Sequence, residues 1–246
     1  TTLHTRQELR DELDRLKAQV YIGGDASGPY VYVATVRDSV PGVLALVAEM
    51  LRKPSFPAKE LEVLRHERLA ALQEARVEPG SRAFEQLFRA LAPFPAADPR
   101  YRASLEEQIA RLEKVRRGDL VRVHQRLWGA SNVQIVAVGD FDAAALRKAV
   151  DEHLEGWVAK ARYERMPSPF HDVSGGATVF IDTPDKEMTM VLMGQTLRLR
   201  DDDPDYPALV LANHVLGGAV ESRLMERLRQ QEGWSYGAFS FVDADP

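Results

Sequence analysis

The chain has 246 residues, 45% of them apolar and 28% charged, and a formal net charge of -5. This is the composition of an ordinary globular chain, long enough for one large domain or two smaller ones. The acidic balance argues against a primary nucleic-acid binder, and the lack of cysteine excludes disulfides, thiolate zinc sites and thiol catalysis.

No run of about 18 apolar residues occurs, so no membrane-spanning helix is expected. The opening TTLHTRQELR has no apolar stretch after its charges, unlike a signal peptide. It enters a helix almost at once, and FSFVDADP stops inside or just after a strand pattern. Both ends read as cuts from a longer chain.

Thr5-Arg6-Gln7-Glu8 has the form of a capping box, with Leu9, Leu13 and Leu16 following at helical spacing. That predicts a helix to about Lys17. VYIGG and YVYVATVR flank a Gly-rich turn and read as a hairpin. Gly23 to Gly28 mimic half a phosphate loop, but Pro29 stands where Lys-Ser/Thr is needed, so the hairpin reading wins. Ser39 and Pro41 open an apolar helix expected to be buried.

Pro54 and Pro57 separate that helix from a long one over 58–76, ended by Pro79-Gly80. Ser81 is expected to cap the next, which ends at Leu91. After a Pro-rich loop, helices are expected near 103–113 and 117–128. VQIVAVG, 133–139, reads as a strand, and FDAAALRKAVDEHL as a helix.

Residues 159–176 have no clean periodicity and read as a linker between a first domain, 1–158, and the start of a second, 177–246. Beyond it come predicted strands in TVFIDT and MTMVLMGQ, helices over 205–216 and 221–232, and a strand over 234–242. The restart suggests an internal repeat. Leu9, Leu13 and Tyr21 align with Leu224, Leu228 and Tyr236. The expected fold is α+β: tandem repeats of an antiparallel-sheet domain with helices packed on one face, truncated at both ends.

The sequence carries no G-x-S-x-G and no G-x-G-x-x-G. None of its six histidines lies within five residues of another, so no helix presents a two-histidine metal face. His66-Glu67 begins like H-E-x-x-H, but Ala70 stands where the second histidine belongs. The acidic run Asp201-Asp202-Asp203-Pro204-Asp205 lacks calcium-loop spacing and suits a helix start, with Pro204 in the first turn.

The stretch LRQQEGWSYG sets Arg229 seven residues before Tyr236. Gly233 is a natural helix C-cap, so Arg229 falls in a last helical turn and Tyr236 on the following strand. A guanidinium and a phenol aimed at one opening suit gripping peptide carbonyls or an oxyanion. The structural alternative is an arginine serving the helix dipole and a tyrosine packed on the sheet.

The segment containing Gly217, Gly218, Ser222, Arg223, Leu224, Arg229, Glu232, Gly233 and Tyr236 resembles the end of the pitrilysin/insulinase family of zinc metallopeptidases. SNVQIVAVGDFD is similar to that family's strand ending in Val-Gly-Asp, and LRKPSFPAKELEVLRHERLAALQEAR to its helix pair around an Asn/Lys-Pro-x-Phe motif. The resemblance runs through nearly the whole chain. It implies repeated α/β domains, usually four per clamshell. One half of the clamshell carries zinc on H-x-x-E-H plus a later glutamate, and the glutamate within the motif activates a water.

This chain has no H-x-x-E-H. Glu74 matches the later ligand position but stands unpaired. The resemblance therefore places the chain in the zinc-free half, as a third domain and the start of a fourth, inactive alone. No cofactor is expected on it; zinc is expected on the catalytic half, fused or separate. Arg229 and Tyr236 would reach across to a peptide or unfolded polypeptide substrate. The alternative is a structural or assembly subunit of the same fold, which need not keep the pair. Bacterial relatives are often exported, which by analogy suggests the periplasm.

Overall fold

The computed structural model describes residues 1–25, 28–167, 169–173 and 175–244. Two compact units divide it: Thr1–Met166 with Phe180–Leu192, and Pro167–Val179 with Met193–Pro246.

In the first unit, α1 spans Arg6–Arg15 and begins as the sequence predicts. The Thr5 side chain accepts from Glu8 N, and the Glu8 carboxylate accepts from Thr5 N at 2.7 Å. Each partner satisfies one donor that an isolated helix start leaves open. Strands β1 (Gln19–Asp25) and β2 (Gly28–Ala34) form an antiparallel ribbon with Tyr21 opposite Tyr32 and Val20 opposite Val33. Ala26 and Ser27, in the half-phosphate-loop stretch, lie outside the described residues.

Alternation sends the ribbon's two faces to different environments. Val20, Val31 and Val33 pack on the core, whereas Tyr21 and Tyr32 are exposed. The core itself is Leu16 with Val43, Leu46 and Val47 of α2 (Val40–Arg52), and Val43 is completely buried. α1, the ribbon and α2 thus share one apolar centre.

Helices α3 (Ala58–Val77), α4 (Pro79–Leu91), α5 (Leu105–Lys114), α6 (Arg117–Leu127) and α7 (Ala143–Leu154) follow. α3 packs on α4 and α5, and α2 on α7. Three of these helices start on recognisable chemistry. Pro79 occupies the first turn of α4, so the helix begins two residues before Ser81, which does not cap it. A proline has no N–H to leave unsatisfied there. Ser104 and Glu107 form a capping box on α5, and Asp142 accepts from Ala144 N and Ala145 N on α7.

Helix ends are also clamped from afar. The Arg65 guanidinium, on α3, donates to Leu112 O and Val115 O at the end of α5. Arg117 donates to Phe56 O at 2.8 Å and Ser55 O at 3.0 Å, bracing the Lys53-Pro54-Ser55-Phe56 turn, where Phe56 has φ 44°.

The second unit holds α8, Tyr206–Asn213, and two π-helical segments, His214–Gly218 and Met225–Gln231. Pro207, not Pro204, sits in the first turn of α8. Asp203 instead shapes the approach, accepting from Asp205 N at 2.9 Å.

The fold is α+β, but its strand content differs from expectation. Among the described residues, only β1 and β2 form a ladder. The expected strands over 133–139, 178–183, 188–195 and 234–242 have none. Val138, Phe180 and Met193 are at least 90% exposed within them. Alternating Val, Ile, Phe and Met make a segment fit for a sheet. A ladder also needs a second segment alongside, and that is a tertiary fact.

Candidate functional site

The Arg229 and Tyr236 pair lies in the second unit, around the end of the segment Met225–Gln231. This stretch is π-helical: Glu232 N donates to Arg227 O, five residues back, at 3.1 Å. Wide turns of this kind are rare and are frequently found at functional sites. The segment ends at Gly233, whose φ of 68° is the left-handed conformation open to glycine. Trp234 N then closes the turn onto Leu228 O at 3.0 Å. The expected glycine cap is therefore present, on a wider helix than the sequence suggests.

Arg229 precedes that cap and Tyr236 follows it. Both are exposed, Tyr236 to 96%. Among the described residues, neither side chain makes a hydrogen bond or ion pair. Their neighbours are the ones engaged. Arg227 bonds Glu232 at 2.5 Å and Gln231 at 3.1 Å, and Gln231 donates to Glu226. The nearby carboxylates are thus taken by residues other than Arg229. Tyr236 does not pack on a sheet, since its strand has no ladder.

Three aromatic residues share the exposed stretch: Trp234, Phe239 and Phe241 are 75%, 67% and 71% exposed. The sequence reads 234–242 as a strand, so the apolar signal was visible and its meaning was not. The Arg227–Glu232 pair was likewise invisible, because its spacing of five is a neighbour relation only on a π-turn.

The described residues do not assemble a zinc site. Glu74 lies exposed on α3, and His66, eight residues earlier, gives Nδ1 to Glu62 O at 2.7 Å. Among the described residues, no three His, Asp or Glu side chains converge on one point. A catalytic zinc needs three protein ligands. The first unit has an apolar cleft of about 290 Å³ lined in part by Met50, Phe56, Leu61 and Leu120. Its one carboxylate, Glu60, is paired with Arg6 at 3.1 Å. No helix of the described residues is long and apolar enough to cross a membrane.

Comparison with known proteins gives a consistent picture. The family described as "Peptidase M16 inactive domain" matches residues 114–246. The non-peptidase homolog YmxG of Helicobacter pylori is 26% identical over 191 residues, 78% of this chain and 43% of that protein. An uncharacterized zinc protease of Mycobacterium tuberculosis is 22% identical over 242 residues, 95% of this chain and 54% of that protein.

Among solved structures, a peptidase M16 inactive domain from Pseudomonas fluorescens superposes with a TM-score of 0.69 at 24% identity, covering 98% of this chain and 57% of that one. A protease from Helicobacter pylori gives a TM-score of 0.66 at 14% identity, with 97% and 57% covered. The chain spans about half the length of the relatives it matches. The sequence motifs, the fold and these matches agree, and the chain belongs to the peptidase M16 inactive-domain family.

Proposed function

We propose that this chain is the zinc-free half of a metallopeptidase. It encloses peptide substrate and offers Arg229 and Tyr236 to a reaction centre on a zinc-bearing half, fused or separate. The observation that carries the reading is the state of the pair. Arg229 keeps five donors uncommitted beside a π-turn, and Tyr236 holds its hydroxyl in solvent just past the cap. By contrast, the Arg227 guanidinium is held by Glu232, and the Tyr101 hydroxyl donates to Glu107.

In an assembled chamber such donors would meet substrate carbonyls, where exclusion of water strengthens each hydrogen bond. The substrate class is an extended or unfolded polypeptide. No step of the chemistry is assigned to a metal on this chain.

The test is turnover of a quenched fluorescent peptide by the complete assembly carrying Arg229→Ala or Tyr236→Phe. Removal of a donor to developing charge costs on the order of 10²-fold in kcat, with zinc content unchanged. Turnover equal to that of the unmodified assembly would remove the reading. A second reading, a structural or assembly subunit without peptide handling, draws support from the non-peptidase description of the Helicobacter pylori relative. Unchanged turnover in both variants would favour it.

A further inference from the structure

An exposed side chain that touches nothing does not place itself. Tyr236 is 96% exposed, so its position comes from the backbone on either side. One anchor is Trp234 N on Leu228 O, next to Arg229. The other lies four residues beyond Tyr236. Ser240 N donates to Gly217 O at 3.0 Å, and Asn213 Nδ2 donates to Ser240 O at 3.2 Å. Both backbone groups of one residue are thus held, by the end of α8 and by the π-turn after it. Between the anchors, Ala238 N meets Met225 Sδ at 3.3 Å, and Met225 is the buried first residue of the segment carrying Arg229.

We infer that Gly217 and Asn213 form a backbone clip on Ser240 that positions Tyr236 relative to Arg229. Gly217 is required for a steric reason. A Cβ there would lie 2.6 Å from Ser240 N, 2.5 Å from Ser240 Oγ and 2.9 Å from Leu224 Cδ1. The first of these is backbone, so no rotamer change relieves it. Leu224 adjoins Met225, so the clash would reach both partners of the contact. Gly217 and Asn213 are positioning residues. This role rests on the proposed function only where it concerns peptide; the geometry is independent of it.

The chain has no cysteine, so two can be introduced as label sites without interference. Nitroxides at Gln230→Cys and Phe241→Cys, both on exposed residues, report the separation of the two segments in the full chain. A narrow distance distribution is expected without further change. Gly217→Ala broadens it, and Asn213→Ala broadens it in part. Asn213→Asp, which keeps the shape but loses the donor, is as broad as Asn213→Ala. Ser240→Ala keeps both backbone bonds and stays narrow.

A narrow distribution in Gly217→Ala overturns the clip. If Gly217→Ala does not fold, Asn213→Asp decides alone, and a narrow distribution there overturns it. A broad one in Ser240→Ala would mean that side-chain packing does the holding, and also overturns it. In the complete assembly, clip variants are expected to lower kcat about tenfold with KM little changed, as misplacement does. Broadened distances with unchanged turnover uphold the clip and remove the peptide-contact role of the pair, so the two failures are distinguishable.

Discussion

Arg65 and Leu112 are 47 residues apart in sequence, yet the guanidinium of one holds the carbonyl of the other, and Val115 O as well. The last carbonyls of a helix have no partner within it. From the neighbouring α3, Arg65 adds a donor to Leu112 O, which also accepts from Val115 N at 3.3 Å, and its side chain is only 13% exposed. Arg65→Ala is expected to cost about 1.5–3 kcal/mol, the range for hydrogen bonds to charged groups. Arg65→Lys should recover only part, because a lysine cannot fork to two carbonyls in the same way. Urea unfolding of both variants measures this, and equal losses would contradict the two-carbonyl account.

Val43 is the most buried side chain of the core. Val43→Ala removes two methyl groups and leaves a cavity among Leu16, Leu46 and the ribbon valines. At about 0.8 kcal/mol per buried carbon plus the cavity, the loss should be about 2–3 kcal/mol. A shift in urea midpoint without change in slope is the expected form.

His4 Nδ1 lies 2.9 Å from both carboxylate oxygens of Glu49 on α2, tying the N-terminal segment to that helix. The hydrogen bond to Glu49, aided by the charges of Glu49, Glu8 and Glu12, holds His4 above its ordinary value of 6.5 despite some desolvation. Burial pushes Glu49 up, but hydrogen bonds from Thr1 and His4 outweigh it, so Glu49 lies below its ordinary 4.5.

A raised histidine gives stability that is whole below 6.5 and is lost as pH rises through the folded value. A lowered carboxylate gives stability that is present above 4.5 and is lost as pH falls through the folded value. The tie is therefore fullest between these limits. Thermal unfolding followed from pH 4 to pH 9 checks it. The unmodified chain should lose more Tm than His4→Gln on the alkaline side; parallel curves would discount the tie.

The purified chain should bind no stoichiometric zinc in equilibrium dialysis, since among the described residues no further ligands converge with Glu74. Glu74→Gln should leave any weak zinc uptake unchanged. Stoichiometric binding lost in Glu74→Gln would reverse the assignment of this chain to the zinc-free half.

Much of the local structure was legible in the sequence. The Thr5–Glu8 box, the apolar stripe of α2, the alternation of the ribbon and the glycine cap at Gly233 are written within a few residues of where they act, because each is a short-range hydrogen bond or a periodicity. The start of α4 and the first-turn proline of α8 were misplaced by two or three residues, since serine and proline each suit more than one position near a helix start.

The motif around Arg229 and Tyr236 was likewise visible, and with it the family. Hidden from the sequence were the relations between distant segments. That Val136 and Phe180 lie open rather than laddered depends on which other segment comes alongside. That Arg227, and not Arg229, takes Glu232 depends on a helical turn of five residues. That Gly217 must lack a side chain depends on Ser240, 23 positions later, lying against it. Local chemistry is set by neighbours in sequence. Ladder partners, ion-pair choice and close backbone contact are set by neighbours in space, and only the folded chain determines those.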